Sequence, residues 1–102
     1  MNNFKALQLA INLYHQCVAL KVETHLRDQL LRASSSVALN LSEGRGRRSH
    51  REQLQFFSIA FGSLRETQTI LLLTTKSNRD VIQSADSAAA CLYRLIKKIE
   101  GD

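Results

Sequence analysis

The chain has no proline and no tryptophan, and only four glycines and two cysteines in 102 residues. Without proline no segment is barred from continuing a helix, and the abundance of Ala, Leu, Gln, Ser and Arg favours helix from end to end. So few glycines and prolines exclude a collagenous or low-complexity chain, and 44% hydrophobic content excludes a disordered one. Two thiols are too few for a disulfide-stapled secreted domain and suit a reducing cytosol. No stretch approaches the roughly 18 charge-free apolar residues of a membrane span. Met1 to Leu20 lacks the basic start, apolar block and small-residue cleavage site of a signal peptide. The expectation is a cytoplasmic protein with no membrane partner. A chain this short buries only about 60–65% of its unfolded surface, so residues 1–102 are read as one domain whose surplus apolar surface meets a partner subunit.

Acid is also absent from one place where base is concentrated. Gly44 to Arg51 holds Arg45, Arg47, Arg48 and Arg51 without an Asp or Glu, whereas the remaining ninety-four residues carry ten bases and nine acids. The net charge of +5 therefore comes from a local patch on a nearly neutral body. Arginine binds phosphate and carboxylate in bidentate geometry, so the patch suits either nucleic-acid backbone or an acidic protein surface.

Apolar spacing predicts four helices. Phe4, Leu7, Ile11, Tyr14 and Val18 step by three and four in the first, and Leu9, Leu13 and Leu20 form a second stripe beside them. That double face is wider than one pair of neighbouring helices needs, so part of it is expected to meet another subunit. Thr24 is read as the cap of a second helix, with Leu26, Leu30, Ala33, Val37 and Leu41 inward, running to about Glu43. Gly44-Arg45-Gly46 is expected to end it through a left-handed glycine. Ser49 and Glu52 form a capping box for the third helix, which continues through Phe57, Ala60, Leu64, Thr67 and Leu71 to around Thr75. Beyond a polar break at Lys76 to Arg79, Val81, Ala85, Ala88, Leu92, Leu95 and Ile99 keep a 4-3-4-3-4 spacing. Short connections place sequential helices side by side, which specifies an all-α, antiparallel up-down four-helix bundle.

Two polar constellations remain. Gln29, Ser36 and Glu43, with Arg32 and Asn40 close by, line one side of the second helix. The stripe is either a solvated face or a hydrogen-bond network with Ser63, Glu66 and Thr67, in which Arg27 or Arg32 would meet Glu66. Ser34 to Ser36 are small enough to admit Phe56 and Phe57. The glycine-arginine turn resembles a phosphate cradle at a helix start, but a nucleotide-binding loop needs a preceding strand and a Lys-Ser/Thr pair, both missing. No aromatic interleaves with the arginines in sequence, so contact with RNA or DNA through Arg45, Arg47, Arg48 and Arg51 would be sequence-nonspecific. His15 and Cys17 are the only close pair of metal-competent ligands, short of a structural zinc set, so no metal or other cofactor is expected. Cys17 and Cys91 are read as small core hydrophobes. Ser34 to Ser36 have no paired His and acid at helical spacing, and no enzyme is expected.

Gln29-Leu30, Arg32-Ala33, Ser36, Asn40, Glu43-Gly44, Gly46-Arg47, Ser49, Phe57, Ile59-Ala60, Gly62-Ser63-Leu64 and Glu66 together resemble a known family. It is that of the four-helix-bundle proteins encoded in intervening sequences of bacterial 23S ribosomal RNA genes, with the accessory variability determinant of diversity-generating retroelements in the same superfamily. The resemblance implies an up-down bundle, a homopentameric ring, no catalytic activity and, in the retroelement branch, nucleic-acid binding alongside a reverse transcriptase. The alternative reading of the residues is a structural or adaptor protein whose arginine turn meets an acidic partner.

Overall fold

The computed structural model describes residues 2–101, with side chains from Lys5 onward. Four helices follow one another: α1 (Asn2–Ala19), α2 (Thr24–Arg45), α3 (His50–Leu73) and α4 (Arg79–Gly101). Each packs against its neighbour in sequence and α4 closes on α1, while the diagonal pairs stay apart. The pairings run antiparallel. Ser36 of α2 meets Ser63 of α3 at 2.9 Å, Gln68 of α3 meets Asp86 of α4 at 2.9 Å, and the Phe61 and Tyr93 rings of the same two helices lie 6.3 Å apart. At the α1–α4 edge, Lys5 shares a cavity wall with Lys98 and Gln16 shares another with Asp80. The α2–α3 turn therefore lies at the same end as the start of α1 and the finish of α4.

The inward faces of α2, α3 and α4 follow the predicted spacing. Leu26, Leu30, Ala33, Val37 and Leu41, then Phe57, Ala60, Leu64, Thr67 and Leu71, then Val81, Ala85, Ala88, Leu92 and Leu95 are all buried, and Ile99 packs on the core half-buried. In α1 the doubled apolar face divides, with Leu13 and Leu20 of the second stripe buried and Ile11 and Val18 of the first left outside. The core stripe is Ala6, Ala10, Leu13, Cys17 and Leu20. Leu7 and Tyr14 are half-buried, and Ile11 and Val18 stand 43% and 39% exposed. The side chain of Phe4 lies outside the described residues. Small side chains face inward because α1 must approach two neighbours closely, and the bulkier stripe, rotated by one residue, is left outside.

Three helix ends differ from the sequence reading. Glu23, not Thr24, is the N-cap of α2: its carbonyl accepts from Leu26 and Arg27 at 2.9 and 3.1 Å, and Thr24 is already helical. α2 does not stop at Glu43. Gly44 is a buried helical residue, and the helix runs to Arg45. Gly46 then caps it at φ −80°, in right-handed conformation, with its N–H donating to the Glu43 carbonyl at 3.2 Å. The last turn tightens into three-residue spacing, so a left-handed glycine is not required. α3 ends two residues early, at Leu73, with Thr74 as cap.

Candidate nucleic-acid interface

Ser49 creates the boundary on which the arginine turn depends. It sits in extended conformation and its hydroxyl oxygen accepts from the Glu52 N–H at 3.1 Å, which satisfies one of the free donors at the start of α3. Gln53 adds a tie by donating through its side chain to the Arg47 carbonyl at 3.1 Å. With both ends held, residues 46–49 make a short connection carrying cations on either side.

The four arginines are not equivalent. Arg47 pairs with Glu43 one helical turn earlier, and its guanidinium lies over the Phe56 ring, 4.7 Å from the centroid. The aromatic that sequence order did not set beside the arginines is thus brought there by folding. Arg45 is half-buried at the end of α2 and has an interaction of its own. Arg48 and Arg51 are exposed, and neither has a hydrogen-bond or ion-pair partner among the described residues. Two of the four arginines therefore project into solvent beside the N-terminus of α3, where helix dipole and cations act in the same direction on an anion.

The polar stripe of α2 divides in two. Ser36, Asn40 and Ser63 form the network between α2 and α3: the Ser36 and Ser63 hydroxyls share a hydrogen bond, and the Asn40 amide donates to the Ser36 carbonyl at 2.9 Å and hydroxyl at 3.0 Å. Gln29, Arg32 and Glu66 are exposed, and Glu43 belongs to Arg47. Among the described residues no ion pair joins Arg27 or Arg32 to Glu66. Arg27 instead donates to the Leu20 carbonyl at 3.2 Å, closing the end of α1. Thr67 is buried and bonds back to the Ser63 carbonyl at 2.9 Å. Phe57 does not enter the space at Ser34 to Ser36. The turn at residues 46–49 sets a register that puts Ser36 opposite Ser63 and Phe57 against Gly44, about two helical turns away.

Both thiols are free and buried. Burial pushes the Cys17 thiol up to about 11, only partly opposed by its hydrogen bond with Ser34. No group of three His, Cys, Asp or Glu side chains able to hold a metal ion occurs among the described residues. None of their helices is long and apolar enough to cross a membrane.

The model of the 23S rRNA-intervening sequence protein family matches residues 3–101. The chain belongs to that family. The match covers all four helices, beyond the second and third on which the resemblance rested. No curated protein matches the chain.

Two features of this family member escaped the sequence reading. Glu23, in the α1–α2 connection, accepts hydrogen bonds from the Thr74 hydroxyl and from the Thr75 N–H and hydroxyl at 3.3 and 3.2 Å, clasping the two connections at the end of the bundle remote from the arginines. At the arginine end, Lys5, Arg94, Lys97 and Lys98 of α1 and α4 add basic side chains across the bundle from the turn. Neither feature has a local signature, since each brings together residues forty or more positions apart. The up-down topology was the signal that could have found the second, because it returns both chain ends to the α2–α3 turn.

Proposed function

We propose that this member of the family is a non-enzymatic, cytoplasmic, oligomeric bundle that holds the backbone of RNA or DNA on the turn bearing Arg45, Arg47, Arg48 and Arg51. The observation that carries the reading is the pair Arg48 and Arg51, exposed and unpaired among the described residues beside a capped helix N-terminus. Arg47, tied to Glu43 and Phe56, shapes the turn, and the two free guanidinium groups meet phosphate. Contact of this kind carries no base readout, so affinity depends on salt and not on sequence.

The outward pair Ile11 and Val18, 43% and 39% exposed one heptad apart on α1, supports the oligomeric part. The number five comes from the resemblance, as does the extension to an accessory protein of a reverse transcriptase. Ile11→Glu tests the interface: light scattering should move from a multiple of the monomer mass to the monomer mass. A parent that is strictly monomeric at micromolar concentration removes this part.

Arg48→Gln with Arg51→Gln tests the binding part. Fluorescence anisotropy with labelled RNA and DNA of unrelated sequences should show weaker binding of all of them, with the salt slope reduced by about 1 per lost phosphate contact. A folded double variant that binds as the parent does overturns the assignment of the turn. Absence of binding by the parent at low salt redirects the turn to an acidic protein partner.

A further inference from the structure

We infer that the nucleic acid held at this end is a duplex, laid across the bundle so that the arginine turn grips one strand and a second basic cluster, in the groove between α1 and α4, grips the other. This rests on the nucleic-acid reading above and adds to it the partner's form and a second contact surface.

Lys5, Arg94 and Lys98 line a cavity of about 270 Å³ between α1 and α4, floored by the buried Cys91 and Leu95. Lys5 and Arg94 also line a contiguous space of about 460 Å³. All three cations are exposed, and none has a hydrogen-bond or ion-pair partner among the described residues. Among the described residues, the acids near this end have partners of their own. Glu43 pairs with Arg47, Glu100 with Lys97 at 3.4 Å, and Glu52 takes the Ser49 hydroxyl at 3.4 Å. Arg48, Arg51, Lys5, Arg94 and Lys98 thus have no ion-pair partner among the described residues, and they fall into two groups on opposite edges of the bundle.

The width of this end suits a duplex. The molecule measures 41 × 21 × 17 Å, so both clusters fit within an end about 20 Å wide. Adjacent helix axes lie roughly 8–10 Å apart, and side chains reaching outward widen that to the scale of a duplex groove, about 12 Å across the major groove of B-form DNA. A single strand would instead use a stacking platform, and among the described residues two of the aromatic rings of α3 and α4 already have a cation over them. Arg47 lies over Phe56, and Lys97 lies 5.4 Å from the Tyr93 centroid. What this end offers is charge at two places, which suits two backbones.

The test uses the full chain, a 24-base-pair duplex and its separate strands, in anisotropy titrations over a series of salt concentrations. Lys5→Gln/Arg94→Gln/Lys98→Gln should fold as the parent does by circular dichroism, bind duplex at least tenfold more weakly and lose about 2 to 3 from the salt slope. The parent should prefer duplex to either strand at least tenfold. If the triple variant keeps parental duplex affinity while Arg48→Gln/Arg51→Gln loses it, the second cluster is overturned and the arginine turn stands. A parent that prefers single strands overturns the duplex assignment alone. A parent that binds neither form at low salt overturns both readings.

Discussion

Gly44 and Phe57 occupy one space: a Cβ built on Gly44 would stand 2.7 Å from Cε1 and 2.9 Å from Cδ1 of the Phe57 ring. The ring is 1% exposed, and Phe56 Cβ stands 2.9 Å from the same added Cβ. The glycine is therefore needed inside the helix for close approach of α2 to α3, just before the chain turns. Gly44→Ala gains helix propensity of up to about 1 kcal/mol but overpacks a buried ring, at about 1–3 kcal/mol. The expected outcome is a net loss of about 1 kcal/mol in urea denaturation. Gly62→Ala is the contrast, since Gly62 is helical and exposed and nothing lies within 4 Å of its added Cβ. That variant should gain roughly 0.5–1 kcal/mol. Equal effects of the two substitutions would remove the packing explanation.

Ser49→Ala removes the side-chain acceptor for the Glu52 N–H and should cost about 0.5–2 kcal/mol. Ser49→Asp keeps an acceptor at the same place and should retain most of the stability. A denaturation midpoint unchanged in the alanine variant would mean that water replaces the cap without loss.

The Glu23 clasp makes stability depend on acid. Its carboxyl is held down at about 2 by the Thr74 hydroxyl first, then by its own N–H and by the Thr75 N–H and hydroxyl. With the folded value below the ordinary 4.5, the stabilisation is complete above about pH 5 and is lost as pH falls toward 2. Urea midpoints of the parent should drop over that window. Glu23→Gln should be less stable at pH 7 and should show a shallower acid dependence. Parallel curves for the two proteins would exclude Glu23 as the group responsible.

Cys17 should resist alkylation. Its burial and raised titration leave very little thiolate at pH 8, and the nucleophile in alkylation is the thiolate. Iodoacetamide followed by peptide mapping should find Cys17 unlabelled in the native protein and labelled in urea. Labelling at equal rates in both conditions would require this part of the core to open readily.

The first helix shows where reading from sequence stops. Its two apolar stripes differ by one position, and periodicity scores them alike. Spacing alone leaves open which part of the doubled face is buried; in the fold Ala6, Ala10 and Cys17 are at 2%, 0% and 0% exposure while Ile11 and Val18 face outward. Which stripe is buried depends on how closely α2 and α4 approach, a property that α1 does not contain. The serines of α2 pose the same problem, because their partner on α3 is set by the length of the turn and not by their size.

The sequence by itself determined the number of helices, the inward faces of α2, α3 and α4, the cap at Ser49 and the concentration of arginine in one turn. These are local quantities, readable from spacings of three and four and from side chains that bond within a turn of themselves. Tertiary structure decided the rest: the face of α1, the seat of Phe57 on Gly44, the Glu23 clasp, and the division of the arginines into bound and free. It also gathered Lys5, Arg94 and Lys98 opposite the arginine turn. Each of these joins residues distant in sequence, and their meeting is fixed by helix register and closest approach, which exist only once the four helices are assembled.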